Sequence, residues 1–211
     1  MEDMLKKSCE QYLAELASRS PVPGGGGTAA LVGALGVALG NMVGNLTLGK
    51  KKYFTVQEDM LRLNNQADVL RQTLEQLVNA DAEVFEPLSR AYGLPRSTPE
   101  EQAHRAAVLE EALEAASAVP MEIMERCAQA IELVEEYAEK GSVLAISDAG
   151  CAAALCLSAL ASASMNVFIN TRSMTNKERS ALLNAKARKL LEEYVPRGER
   201  VVNSVTRRLM D

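Results

Sequence analysis

The stretch that decides the fold runs from Thr28 to Leu48 and reads TAALVGALGVALGNMVGNLTL. It is apolar on every face, which is typical of a buried central helix, since a surface helix keeps one polar side. Gly36, Gly40 and Gly44 recur at every fourth position and form one ridge along this predicted helix. A ridge without side chains lets a second helix backbone come close. Thr28 is placed to cap the start of the helix.

The same stretch is long enough to cross a lipid bilayer, and glycines four residues apart are typical of packed membrane helices. Two observations favour a buried helix in a soluble protein instead. Asn41 and Asn45 lie within the stretch, and the other predicted helices are strongly amphipathic. We therefore expect no membrane segment, and a small membrane protein is the alternative.

A second stretch of small residues is the natural partner for the glycine ridge. It begins at Ala149 and reads AGCAAALCLSALASASMNVFIN. The chain is 47% hydrophobic but only 4% aromatic, without Trp, whereas the strands of sandwiches and barrels are enriched in β-branched and aromatic residues. The sequence therefore predicts a single all-α domain over residues 1–211, a helical bundle around two small-residue apolar helices, Thr28–Leu48 and Ala149–Ile169.

The other segments predict amphipathic or long heptad-patterned helices. The apolar seam from Val56 to Leu88 repeats in steps of four and three, but it has Asp81 where the pattern favours an apolar residue. An acid there is partnered, lies at a helix end or is functional, because burial of an unpaired carboxylate is costly. Ser20–Gly27, with two prolines and four glycines, predicts a loop. The remaining predicted helices are Glu2–Ser18, a capped helix Thr98–Lys140, a helix from a second capping box at Thr175 to Tyr194, and a short helix Glu199–Met210.

Charge and cysteine usage exclude several classes of protein. The 23 basic and 28 acidic residues give a net charge of −5, which leaves no basic face for nucleic acid. The four cysteines form no CxxC pair and the chain has one histidine, so we expect no metal site. The start, Met1–Glu10, lacks a signal-peptide pattern, and a cytoplasmic location is expected.

Four features could carry chemistry. Gly24–Gly27 lead into a helix start, where free N–H groups and the helix dipole bind anions, although a plain turn explains the glycines equally well. Asp148 is either a helix cap or a site acid. Asn166 and Asn170 either cap the end of the second small-residue helix or point into a pocket. Asp81 is the strongest candidate, because of its position on the seam.

Several distinctive strings extend this interpretation. Together they closely resemble the cyclodeaminase/cyclohydrolase family of folate enzymes, over about residues 3–190. The chain departs from the family pattern in having four glycines and a threonine where three glycines and a serine are common, and in lacking the asparagines that commonly follow Gly141. The strings are SPVPGGGGTAA from Ser20, LVGALG from Leu31, NLTLGKKKY from Asn45, DAEVF from Asp81, AYGLP from Ala91, AVP from Ala118, ISDA from Ile146 and NVFIN from Asn166.

The resemblance implies an all-helical homodimer that binds a tetrahydrofolate one-carbon derivative. The implied reaction is the hydrolysis of 5,10-methenyltetrahydrofolate to 10-formyltetrahydrofolate. The alternative is a cyclodeaminase, an ammonia-lyase that converts 5-formiminotetrahydrofolate into the methenyl form. Neither reaction requires a metal or a nicotinamide cofactor. A non-catalytic helical binding module is the remote alternative.

The resemblance also implies which residues act. Asp81 or Asp148 is the candidate general acid and base, because both reactions need a proton carrier with a tuned pKa. Lys51 either serves in the site or, with its neighbours, binds the glutamate carboxylates of folate. The pterin is expected against the glycine segment. The substrate-binding candidates are Pro23, Gly24, Gly25, Gly26, Gly27, Lys50, Lys52, Tyr53, Ser147, Asn166 and Asn170.

Overall fold

The computed structural model describes residues 3–211, and this part of the chain is helical without strands. Short 3-10 helices at Met4–Lys6, Lys51–Val56 and Val143–Ala145 lie between the longer elements. The α-helices are α1 (Cys9–Leu16), α2 (Gly25–Thr47), α3 (Gln57–Tyr92), α4 (Pro99–Lys140), α5 (Ile146–Ser173) and α6 (Lys177–Met210).

Helices α2 and α5 lie side by side at the centre of the bundle. Helix α3 packs on the other side of α2, and α6 packs on α5. Helix α4 contacts all four of these helices and so covers one face of the α2–α5 pair. The predicted all-α bundle around two small-residue helices is confirmed.

The glycine ridge of α2 brings it into close contact with α5. A Cβ atom on Gly36 would lie 2.6 Å from Cys156 Sγ, 3.1 Å from Ala152 O and 3.2 Å from Cys156 N. The last two are backbone atoms of α5, which cannot move without displacing that helix. A side chain at Gly36 would therefore push the two central helices apart.

The start of α2 differs from the sequence prediction. The loop was expected to reach Gly27, but α2 begins at Gly25, with Gly24 as its N-cap. Thr28 is not the cap, since its hydroxyl donates to Gly24 O at 2.8 Å within the first turn. Glycine in a helix costs about 1 kcal/mol relative to alanine, so tertiary contacts must offset this cost at three consecutive positions.

Two further boundaries correct the prediction. Thr175 does not cap α6, because its backbone N–H and hydroxyl both donate to Glu110 Oε2 at 2.6 Å. Asn176 is the cap instead, and its side chain accepts from Arg179 N. Helix α6 then runs to Met210 as one helix through Pro196, where a break was predicted. At the N-terminal end, α1 begins only at Cys9.

The face of the α2–α5 pair away from α4 is apolar and uncovered. Leu35 on α2 is 52% exposed and Met165 on α5 is 68% exposed. Both central helices are long and apolar enough to cross a membrane by length and composition, and about half of each apolar window is buried in the bundle. We call this surface the apolar face; its large side chains are Leu35, Met42, Leu46, Met165 and Ile169.

Gly36→Ala tests the close approach of α2 and α5. Overpacking against the α5 backbone is expected to lower the free energy of unfolding by about 1–3 kcal/mol, measured by urea denaturation at unchanged m-value. Gly33→Ala is the matched control, because the atoms nearest to a Cβ there belong to the side chains of Cys127 and Leu74 and not to a helix backbone. A Gly36→Ala protein as stable as the wild type would show that the close packing of α2 and α5 does not require a glycine at this position.

Candidate active site

The carboxylate of Asp81 lies against the first turn of α2. Gly27 N donates to Asp81 Oδ2 at 2.7 Å. A Cβ atom on Gly26 would lie 2.0 Å from Asp81 Oδ1, so any side chain at that position would displace the carboxylate. The seam acid of α3 and the glycine segment, two separate sequence candidates, therefore form one site.

The surroundings of Asp81 favour its protonated form. Burial raises the pKa of its carboxyl above the usual range, and the hydrogen bond from Gly27 N–H lowers it by a smaller amount. Like this hydrogen bond, the positive end of the α2 dipole favours the ionised carboxylate, because the Asp81 side chain lies at the N-terminus of α2. A raised pKa makes the carboxyl a better proton acceptor than an ordinary aspartate, while it can still return the proton.

Asn166 of α5 joins this end of the bundle. A Cβ atom on Gly25 would lie 3.2 Å from Asn166 Nδ2 and 3.3 Å from its Oδ1. The amide nitrogen donates to Ser162 O at 2.9 Å, which leaves its oxygen to accept from a ligand. We call Gly24–Gly27, Asp81 and Asn166 the glycine end.

Asn170 has a structural partner. Its Nδ2 donates to Ala116 O at 2.8 Å. That carbonyl lies four residues before Pro120, which has no N–H to donate to it within α4. The side-chain amide of Asn170 therefore satisfies an acceptor left free by the proline, and its expected role in substrate binding stays a prediction.

Tyr12 contributes to the glycine end and was not predicted. Its side chain is the only buried one in α1, and its hydroxyl lies 3.3 Å from Thr28 Oγ1. Burial raises the pKa of the Tyr12 hydroxyl, and the Asp81 carboxylate raises it further. In the sequence Tyr12 is one of several residues on an amphipathic face, with no signal that separates it from its neighbours.

A cleft of about 470 Å³ opens beside the glycine end. One wall comes from Pro21 and Val22, directly before the buried Pro23, and the other from Phe85, one helical turn after Asp81. Ligand sites commonly have volumes in this range and apolar walls with few polar groups. The cleft is completed by Glu86, Ser89 and Arg90.

The predicted lysines lie at the opposite end of α2. Lys50 Nζ donates to Ser142 Oγ at 3.2 Å, and Tyr53 Oη accepts from Val143 N at 2.9 Å. This backbone N–H lowers the pKa of the Tyr53 hydroxyl. Lys51 and Lys52 are exposed. Of these three lysines, Lys50 is thus the one with a buried partner, whereas the sequence favours Lys51.

Asp148 and Ser147 belong to the same end as the lysines, in the first turn of α5. We call Lys50–Tyr53, Ser142, Ser147 and Asp148 the lysine end. The rise of α2 from Gly25 to Thr47 separates the two ends by about 33 Å. Within one chain, the fold therefore does not bring Asp81 together with Asp148 or Lys51.

Comparisons with known proteins show which family the chain resembles. The family described as "Formiminotransferase-cyclodeaminase" matches residues 8–189. The chain is 42% identical over 171 residues to a methenyltetrahydrofolate cyclohydrolase of Methylorubrum extorquens, covering 81% of this chain and 82% of that protein. It is 34% identical to the formimidoyltransferase-cyclodeaminase of Mus musculus, covering 98% of this chain but only 38% of the longer mouse protein.

A solved structure shares the fold. The crystal structure of formiminotetrahydrofolate cyclodeaminase from Thermotoga maritima matches with a TM-score of 0.80 and 28% identity, covering 96% of this chain and 98% of that chain. The family match extends over the glycine end, the lysine end and the helices that carry them. This chain is a member of the formiminotransferase-cyclodeaminase family.

Proposed function

We propose that the protein hydrolyses 5,10-methenyltetrahydrofolate to 10-formyltetrahydrofolate, with Asp81 as the general base and acid. The observation that carries this proposal is the Asp81 carboxylate, half-buried at the first turn of α2 with a raised pKa. A scaffold without activity has no need of an acid whose burial is costly. The 42% identity to a cyclohydrolase over most of both chains supports the same substrate.

The reaction suits this environment. Water adds to the cationic methenyl carbon between the two folate nitrogens, and Asp81 takes one of its protons. The bond from that carbon to the ring nitrogen then breaks, and Asp81 returns a proton to the leaving nitrogen. The hydroxyl proton goes to solvent as the formyl group forms. The carboxylate also stabilises the positive charge of the substrate before the water adds.

The second candidate is the cyclodeaminase reaction, and the match to the Thermotoga maritima structure favours it. In this reaction the second folate nitrogen attacks the formimino carbon, and ammonia leaves after it gains a proton. Both reactions pass through a tetrahedral carbon held between two nitrogens. The same acid can therefore serve either substrate, and neither reaction changes an oxidation state that would call for a redox cofactor.

The proposal includes a homodimer in which each site uses two chains. The apolar face has large exposed side chains, which in soluble proteins mark an interaction surface. A two-fold axis perpendicular to α2 and α5 would cover this face and place the lysine end of one protomer beside the glycine end of its partner. Lys50 and Asp148 would then face Asp81 across the interface. The four free cysteines fit the reducing cytoplasm that we propose as its location.

Replacement of Asp81 tests the catalytic role. Asp81→Asn keeps the shape of the side chain but cannot carry the proton, so turnover of methenyltetrahydrofolate should fall by about 10²–10⁴-fold. The loss of its near-ultraviolet absorbance measures hydrolysis, and ammonia release from formiminotetrahydrofolate measures the alternative. The matched control is Glu83→Gln, an exposed acid on the same helix, which should retain wild-type turnover.

The two substrates separate the candidate functions. Formyl product without ammonia release establishes the cyclohydrolase, and ammonia release alone establishes the cyclodeaminase. A protein that binds the folate but turns over neither substrate would be a binding module. Near-wild-type turnover by Asp81→Asn would contradict the assignment of this residue.

Mixed dimers test the two-chain site. Asp81→Asn and Lys50→Met are each expected to be inactive, but their coexpression should restore about one quarter of wild-type activity, because half of the dimers are mixed and one of their two sites is intact. Coexpression of Asp81→Asn with Asp81→Ala is the matched control and should restore none. No restoration in the first pair, together with a monomeric mass in solution, would contradict the two-chain site.

A further inference from the structure

Helix α1 is joined to the bundle mainly through one side chain. Within its eight residues only Tyr12 is buried, at 6% exposure. This side chain does not simply fill the core, because its hydroxyl reaches the first turn of α2 beside Asp81. The position of α1 therefore depends on a contact made at the glycine end.

The direction of the hydrogen bonds is fixed by the donors available. Thr28 has one hydroxyl proton, and it is donated to Gly24 O at 2.8 Å. In the 3.3 Å contact between the two hydroxyls, Tyr12 must therefore be the donor. The resulting chain runs from Tyr12 through Thr28 to the N-cap carbonyl of α2.

The same turn supplies the donor to Asp81. Gly27 lies next to Thr28, and its N–H bonds the carboxylate at 2.7 Å. Three consecutive glycines form this turn and supply no side chains of their own to hold it in place. The hydrogen bonds of Tyr12 and Thr28 therefore help to fix its orientation beside the carboxylate.

We infer that Tyr12 is a positioning residue, which holds the first turn of α2 so that Gly27 N–H stays directed at Asp81. This inference rests on the proposed role of Asp81. The Asp81 carboxylate raises the pKa of the Tyr12 hydroxyl. Among the described residues, no charged side chain shifts the pKa of the Asp81 carboxyl. A looser turn would weaken the hydrogen bond that stabilises the carboxylate.

Tyr12→Phe removes the hydroxyl and keeps the buried ring. Asp81 acts as a base in its ionised form, so kcat/KM should fall at low pH with a midpoint at the pKa of this carboxyl. Loss of the Gly27 donor raises that pKa and should move the midpoint upward by about half a pH unit or more. Thr28→Val breaks the same chain at its next member and should give a similar shift. The double variant should shift no further than either single change, since both act on one chain.

Two controls distinguish positioning from stability. Tyr194→Phe removes a hydroxyl that bonds Glu132 on the far side of the bundle and should leave the acidic limb unmoved. Thr28→Ser keeps the hydroxyl and should retain the wild-type midpoint, which gives a readout even where Tyr12→Phe folds poorly. A lower melting temperature in Tyr12→Phe and Thr28→Val with an unmoved midpoint would overturn the positioning role. Full activity of Asp81→Asn would instead contradict the proposed function itself.

Discussion

The hydrogen bond between Gly27 N–H and the Asp81 carboxylate is the interaction on which the site depends. Oδ1 of the same carboxylate occupies the space that a side chain on Gly26 would fill. Gly26 is thus required because the acid is there, and the buried acid is tolerable because the helix start offers it a donor and a favourable dipole. This mutual dependence explains why a helix begins within a run of glycines.

The lack of side chains on α2 has a second consequence along its length. At Gly36 the helix approaches the backbone of α5, so the two central helices pack closely through small residues. Helix α4 covers one face of this pair, and the opposite face remains apolar and exposed. The same packing therefore leaves uncovered the face on which we propose that a second copy binds.

Much of the fold could be predicted from the sequence. The seam of α3 and the capping box of α4 are local patterns, and they fixed the type and approximate bounds of those helices. Asp81 stood out because one polar residue interrupted an otherwise apolar seam. The helical start at Gly25 could not be predicted, because glycine propensity disfavours it and the offsetting contacts are tertiary, such as the bond from Gly27 to Asp81, 54 residues away in the chain.

The site was less predictable than the fold. The side-chain amide of Asn170 bonds a carbonyl that Pro120 leaves free, and Lys50 bonds Ser142, 92 residues away in the chain. Such partners depend on tertiary packing and leave no pattern in the sequence. Tyr12 shows the same limit, since its spacing marks it only as one residue of an apolar face.

The titration of the Asp81 carboxyl tests the central claim most directly. Carboxyl-labelled aspartate in the full chain gives a chemical shift for each side chain, and the Asp81 signal is the one that Asp81→Asn removes. Burial should place its midpoint clearly above the value of about 3.9 for an unperturbed aspartate. A midpoint at or below that value would contradict the account, because the carboxylate would then be an ordinary helix-terminal anion that could not return a proton near neutral pH.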